Sequence, residues 1–183
     1  MSCVGRSQFE AGNMIALCKA CACTVVMAMV SISPVSADTS WETLRRFGLT
    51  GVWAYFCDRA SSRINYFETY AGGPNGLARR KVDRGIDVPT AISFVEDARI
   101  ISLTTLKAKI RNADSNWGPL NNLSYDVTLV KEEDPSTHEI LRFRFLQAIR
   151  SDGKIMARDG LYFGSGKPTA WEHRCRTAMS ANF

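Results

Sequence analysis

The sequence predicts an all-β protein, an antiparallel up-and-down barrel of about eight strands, preceded by a short helix and a cleaved leader. Beyond residue 48 the helical spacing of apolar residues disappears, and roughly eight or nine short segments rich in β-branched and aromatic residues follow. Turn-forming stretches separate these segments, and no helical pattern lies between them. Two cysteines, Cys57 and Cys175, lie in the first and the last of the segments. Together these observations favour strands joined by hairpins into one closed sheet.

The first part of the chain has the pattern of a secretory signal peptide. Lys19 precedes an apolar run of about a dozen residues, which a Ser/Pro break and the small residues Val35 and Ala37 follow. The run is shorter than the roughly 20 residues that a membrane-spanning helix needs. We therefore expect residues 1–37 to be a signal peptide and residues 38–183 to form a single barrel domain. The mature protein is expected to be periplasmic or secreted, with no stable membrane anchor.

Cysteine and charge patterns exclude some other classes. Four of the six cysteines lie in the leader, where a metal-site interpretation of the stretch CKACAC competes with the signal peptide but lacks a second ligand cluster. The net charge of +5 comes from 23 Lys and Arg against 18 Asp and Glu, and the two signs are interspersed. This indicates a mildly cationic surface rather than a stripe that binds nucleic acid. No metal, cofactor or nucleic-acid partner is expected.

A short helix is predicted at the start of the mature chain. Asp38 or Thr39 can cap it, and it is expected to run to about Phe47. Its apolar residues recur at helical spacing, and Gly48 ends it because glycine readily adopts the left-handed conformation of a C-cap.

Alternation within the strand segments predicts which face is buried. In residues 141–149, Leu141, Phe143, Phe145 and Ile149 are expected to share the inner face, with Arg142 and Arg144 on a solvated outer face. Residues 99–111 and residues 154–164 are each expected to form a single strand. Asp152-Gly153 is predicted to form a tight hairpin turn.

The cysteine pair predicts how the sheet closes. An even pair in an exported chain indicates a disulfide, and bridging Cys57 to Cys175 requires Cα atoms within about 7 Å. First and last strands are neighbours in a closed barrel, although a sandwich whose terminal strands pair is an alternative. Because Trp53 and Trp171 share strand parity with the cysteines, we expect them on the same face as the bridge.

A short helical turn followed by Gly51-x-Trp53 at the start of a strand meander resembles the lipocalin/calycin superfamily. The resemblance implies a calycin-like barrel in which Gly51 and Trp53 form the barrel floor. It also implies an arginine from near the end of the last strand above that tryptophan, here Arg174 or Arg176.

A small barrel either holds a ligand or is filled by side chains. If a ligand pocket is present, we expect Tyr66, Tyr70, Tyr125 and Phe143 to line it, although each is equally well explained as a core residue. The main hypothesis is thus an exported lipocalin-like binding protein for a small apolar or amphipathic ligand.

Two other functions compete with ligand binding. One is an interaction protein with a filled barrel, envelope-associated or an enzyme inhibitor, which contacts a protein partner through loop 112–122 with Trp117 as the anchor. The other is an enzyme of unrecognised mechanism. An enzyme is not expected, because His138 and His173 are the two histidines of the chain and no serine has the setting of a nucleophile elbow.

Overall fold

Eight antiparallel strands close on themselves into a barrel, and one short helix precedes the first strand. The computed structural model describes residues 38–175. The prediction of an all-β barrel preceded by a short helix is confirmed. The predicted leader, residues 1–37, lies outside the described residues.

The helix and strands have the following bounds. The helix α1 spans Ser40–Phe47. The strands are β1 Gly51–Ala54, β2 Phe67–Gly72, β3 Ala78–Asp83, β4 Ala91–Ser102, β5 Thr105–Asn112, β6 Ser124–Glu133, β7 Ile140–Arg150, β8 Ile155–Arg158, β9 Leu161–Tyr162 and β10 Glu172–Arg174. The barrel comprises β1 to β7 and β10, and the hairpin of β8 and β9 extends the sheet beyond the far end of β7.

Helix α1 begins and ends where its capping residues dictate. The Thr39 hydroxyl accepts a hydrogen bond from the Glu42 N–H at 3.2 Å, and the Glu42 carboxylate accepts one from the Thr39 N–H at 3.0 Å. This reciprocal pair is a capping box, which satisfies backbone donors of the first turn. Gly48 has φ of 87°, a left-handed conformation that favours glycine, and ends the helix.

The helix plugs one end of the barrel, which we call the closed end. Its buried Ser40 hydroxyl donates to the Val95 carbonyl at 2.6 Å and accepts from the Ala78 N–H at 3.0 Å. Leu44 and Phe47 are buried in the same core. The connections from β1 to β2, β3 to β4 and β5 to β6 lie at the opposite end, the open end.

The last strand closes the sheet by pairing with two others. In β10, Arg174 lies opposite Trp53 of β1, and Glu172 lies opposite Phe143 of β7. A disulfide joins Cys57 to Cys175, with their Cα atoms 5.3 Å apart. Cys57 lies in the turn that follows β1 rather than within the strand. The alternation of side chains in β1 therefore does not determine which way Cys57 points.

Two predicted strands are instead hairpins. Residues 99–111 contain the end of β4 and most of β5, with Leu103 and Thr104 as the turn. Residues 154–164 contain β8 and β9, joined by Asp159 and Gly160, which both have positive φ. The Asp-Gly dipeptide is typical of two-residue hairpins.

Irregularities in β7 change which side chains face inwards. Phe143 and Phe145 lie on the core side as predicted, but Leu141 is 42% exposed while Ile140 is buried. A register shift at this point of the pairing with β6 adds one residue and reverses the alternation. A second shift places Ile149 opposite the exposed Asp126, on the outer face.

The expected clustering of aromatic rings on one face is wrong for β10. Trp53 is fully buried inside the barrel, whereas Trp171 lies on the outer face. The guanidinium groups of Arg142 and Arg144 lie 4.6 Å and 4.7 Å from the centre of the Trp171 ring. The inner face of β10 therefore carries Glu172 and Arg174.

Candidate functional site

A cavity of about 250 Å³ lies inside the barrel towards the open end. Strands, the loop after β5 and the hairpin of β8 and β9 all contribute to its wall. The lining is mainly aromatic and apolar, with Arg80 and Asn112 as the polar exceptions. Its large side chains are Tyr66, Trp117, Tyr125, Phe145, Met156 and Tyr162.

The structure divides the residues predicted to line a pocket into two pairs. Tyr66 and Tyr125 line the cavity. Tyr70 and Phe143 are buried in the hydrophobic core, outside the cavity lining. The edge of one ring packs against the face of the other, and the two ring centres are 6.3 Å apart. The core that includes these two rings fills the barrel towards the closed end.

Arg80, which lines the cavity, forms a buried ion pair with Glu68. Glu68 is fully buried, and its Oε2 accepts hydrogen bonds from Arg80 Nε and from the Tyr70 hydroxyl, both at 2.8 Å. Arg80 Nη2 donates to the other carboxylate oxygen. Burial, and then the charge of Glu68, raise the pKa of Tyr70 well above its usual value, so its hydroxyl remains a donor.

Glu172 is a second buried carboxyl group in the barrel. It is 1% exposed, and its Oε2 has no hydrogen-bond partner among the described residues. Burial, and then the charge of Glu68, raise the pKa of Glu172 well above its usual value, although Arg80 acts in the opposite direction. The folded protein therefore holds the Glu172 proton up to a higher pH than an exposed glutamate does.

Three tyrosine hydroxyls meet beside the cavity. The Tyr55 and Tyr66 oxygens are 2.5 Å apart, and the Tyr55 and Tyr162 oxygens are 3.5 Å apart. Burial, followed by the charge of Glu172, raises the pKa of Tyr66 well above its usual value. The contact with Tyr162 connects the hairpin of β8 and β9 to the barrel wall.

Trp117 lies differently from the exposed loop anchor that the sequence suggested. Its indole N–H donates to the Ile92 carbonyl at 2.7 Å, and its ring forms part of the cavity wall. The guanidinium groups of Arg80 and Arg84 lie 5.9 Å and 5.3 Å from the ring centre. The loop 112–122 is therefore packed onto the barrel at this residue.

The closed end has the residues that the lipocalin/calycin resemblance singles out. The Arg174 guanidinium lies 5.2 Å from the centre of the Trp53 ring, and its Nη2 donates to the carbonyls of Gly48 at 3.0 Å and Thr50 at 2.8 Å. Gly51 has φ of 103°, which disfavours any residue with a side chain. Arg176, the other candidate partner, lies outside the described residues.

Other features of the described chain do not form a second site. A wider cleft of about 770 Å³ near the helix has a mainly charged and polar lining that includes residues of both sheet faces, since Lys107 and Lys109 alternate with Ala108. His138 lies in a turn and His173 on the outer face. Within residues 38–175, no three His, Cys, Asp or Glu side chains converge to hold a metal ion.

Among the residues that the structure describes, no helix has the length and apolar character needed to cross a membrane.

Sequence reasoning missed three ionisable residues in or beside the cavity wall, Glu68, Arg80 and Glu172. Glu68 shares strand parity with Tyr66 and Tyr70, and Arg80 shares it with the buried Ala78 and Val82, so alternation carried a signal for both. Alternation gave no such signal for Glu172. Strand β10 has only three residues, and the aromatic residue before it, Trp171, lies on the outer face.

Comparisons with protein-family models, with curated proteins and with solved structures find no match for this chain.

Proposed function

We propose that the chain is a binding protein, rather than an enzyme, that holds a small amphipathic ligand in the cavity at the open end. The observation that carries this proposal is the aromatic-lined space of about 250 Å³ inside the barrel, with few polar groups in its wall. Ligand sites are typically concave and mostly apolar, with a small number of polar groups that fix orientation. Arg80 and Asn112 have that role here.

Kinship with the lipocalin/calycin superfamily is part of this proposal. It is supported by the eight-stranded closed barrel and by the contact of Arg174 with Trp53 at the closed end. Export is also part of it, with removal of the leader at or near Asp38. The disulfide supports export because structural disulfides form and persist in oxidising compartments.

Binding of a protein partner at the open end is the second candidate function. Exposed apolar side chains support it, since Ile86 is 100%, Ile64 85% and Phe163 66% exposed. Large apolar side chains at a surface are typical of interaction sites when they form a patch. In this alternative the loops at the open end, rather than the cavity, carry the function.

Filling the cavity tests the first proposal. Ala148 lines the cavity from β7, and an Ala148→Phe substitution places a ring in the space. Phenethyl alcohol, a small amphipathic probe, should bind the wild-type protein saturably in calorimetry and bind Ala148→Phe at least about tenfold more weakly. Ala60→Phe, at an exposed loop position, is the matched control and should bind like the wild type.

Equal affinity of the wild type and Ala148→Phe for the probe would overturn the assignment of the cavity as the binding site. Circular dichroism of each variant establishes that the barrel is folded before affinities are compared. Equal affinity in a folded Ala148→Phe would leave the exposed loops at the open end as the favoured functional surface.

A further inference from the structure

The interior of the barrel near the cavity contains more buried carboxyl groups than guanidinium groups. Glu68 has its hydrogen bonds satisfied by two nitrogens of Arg80 and by the Tyr70 hydroxyl. This side-on pair neutralises the charge of Arg80. Glu172, buried to the same degree, has an Oε2 atom with no partner among the described residues.

Glu172 lies beside the wall of the cavity. It is directly opposite Phe143 on β7, and Phe145, two residues further towards the open end, lines the cavity. The register that pairs Ala54 with His173 brings Glu172 alongside Tyr55, and its charge contributes to the raised pKa of both Tyr55 and Tyr66. Glu172 is not itself part of the cavity lining, but it lies next to the lining residues Phe145 and Tyr66, so an ammonium group at that wall would be within its reach.

Other cations of the barrel are engaged elsewhere. Arg174 donates to carbonyls at the closed end and lies against Trp53. Lys131 donates to the Phe47 carbonyl at 2.9 Å and pairs with Glu133 at the same end. Arg144 lies against Trp171 on the outer face. Within residues 38–175, Glu172 Oε2 accepts no hydrogen bond from any of these cations.

We propose that the ligand carries an amine and that its ammonium group binds Glu172, with the apolar part of the ligand against the aromatic wall. This inference rests on the proposed function, because it names the chemical class of ligand for the same cavity. The tyrosine and tryptophan rings suit it, since the faces of aromatic rings attract cations.

Electrostatics favour a cation over an anion at this position. A buried carboxylate without a partner is costly, and an ammonium group supplies both the opposite charge and the missing donors. An anionic group would meet Glu68 and Glu172 together, while Arg80, the guanidinium of the cavity lining, is already bound by Glu68. A neutral amine takes the proton of Glu172, and an ammonium ion displaces that proton to water, so both routes give the same ion pair.

The groups that face Glu172 determine how its charge responds to a ligand. Its own strand presents Arg174 on the same face, and β7 presents the apolar Phe143. The titratable groups on the other elements are Tyr55 after β1, Tyr66, Glu68 and Tyr70 on or just before β2, and Arg80 on β3. The tyrosines stay uncharged, which leaves the two carboxyl groups and the guanidinium groups of Arg80 and Arg174 to set the local charge.

Three probes of similar size test the proposal: phenethylamine, phenethyl alcohol and phenylacetate. Calorimetry should show that the wild-type protein binds phenethylamine about tenfold or more tightly than phenethyl alcohol, and phenylacetate most weakly. In Glu172→Gln the amine should lose this advantage, while the alcohol keeps its wild-type affinity. Retained binding of the alcohol shows that the variant is folded with its cavity intact.

Glu133→Gln is the matched control, because Glu133 pairs with Lys131 at the closed end, away from the cavity. It should keep the preference for the amine. A preference for phenylacetate, or an amine-to-alcohol ratio that Glu172→Gln leaves unchanged, would overturn the proposal. If the alcohol binds and the amine binds no more tightly, the amine inference falls and the binding function stands; if no probe binds, both fall.

Discussion

At Glu172 a carboxyl group lies among aromatic rings with one oxygen unpaired, and few positions in a barrel are less favourable for an acid. Replacing it by an apolar or amide side chain would relieve that cost. Residues that reduce stability in this way are frequent at functional sites, where a ligand supplies the missing partner.

The first prediction concerns the pH dependence of this cost. Because the pKa of Glu172 is raised in the folded state, the folded protein holds this proton up to a higher pH than the unfolded chain does. Protonated Glu172 therefore makes its whole contribution to the free energy of unfolding below the pKa that it has in the unfolded chain. That contribution is lost as the pH rises through its pKa in the folded protein. Glu172→Gln should thus be more stable than the wild type at neutral pH, by a margin that grows from acidic to neutral pH.

Urea unfolding of the two proteins over a series of pH values measures this margin. Asp152, an exposed carboxyl whose pKa the Arg150 side chain lowers to about 2, provides the control variant Asp152→Asn. Its own contribution should be constant from about pH 5 upwards, since Asp152 is then ionised in both the folded and the unfolded protein. A constant difference between Glu172→Gln and wild type across the same range would contradict the assignment of a raised pKa.

Among single residues, alternation identified part of the site. Tyr66 and Tyr125 line the cavity because aromatic residues in half-buried strands face the interior. The position of Glu172 depended on the register between β10 and β1, a long-range pairing that local sequence does not encode.

At the scale of elements, α1 acts as the plug of the closed end. Ser40 connects it to two strands at once, through the Val95 carbonyl of β4 and the Ala78 N–H of β3. A buried backbone group that loses its partner costs about 1–3 kcal/mol.

The second prediction is that Ser40→Ala lowers the free energy of unfolding by about 1–3 kcal/mol, because both backbone groups lose their partner. Denaturant unfolding measures the loss. Ser115→Ala, at an exposed position, is the matched control and should change stability by less than about 0.5 kcal/mol. A Ser40 variant as stable as this control would show that the helix is held by apolar packing alone.

The helix and the strand count could be predicted, while the exact strands could not. The capping box and Gly48 are local signals that fix the helix. The Leu103-Thr104 turn contains neither Gly, Asn nor Pro, so the hairpin it forms left no turn signal. The extra residue in β7 that turns Leu141 outwards depends on pairing with β6.

At the scale of the whole molecule, closure depends on a strand of three residues. β10 pairs with β1 and with β7, and the disulfide from Cys175 to Cys57 holds this short strand in place. The two cysteines predicted closure because they lie near the first and the last strand of the barrel. This inference depends on the order of the strands along the chain and does not require knowing how the strands pair residue by residue.

The third prediction is that removing the bridge destabilises the barrel without unfolding it. The cysteines are 118 residues apart, and the loss of free energy of unfolding in Cys57→Ala/Cys175→Ala should be a few kcal/mol, with about 4–5 kcal/mol as the upper end. Cys57→Ala alone should behave like the double variant, because either removes the same bond.

Alkylation of the unfolded, unreduced protein, followed by peptide mapping, checks the bridge directly. Cys57 and Cys175 should both be protected until a reductant is added. Modification of both cysteines before reduction would contradict the bridge and leave closure to strand pairing alone.

The most direct test of the central claim, that the cavity binds a small amphipathic ligand, is an NMR titration of the tryptophan indole N–H resonances with phenethyl alcohol. The chain has four tryptophans, and Trp117 lines the cavity while Trp171 lies on the outer face. Trp41, against Gly72 near the closed end, is a second control. Binding in the cavity should give a saturable shift of the Trp117 resonance and leave the Trp41 and Trp171 resonances unchanged. A Trp117 resonance that does not move, or equal non-saturating shifts of all of them, would contradict it.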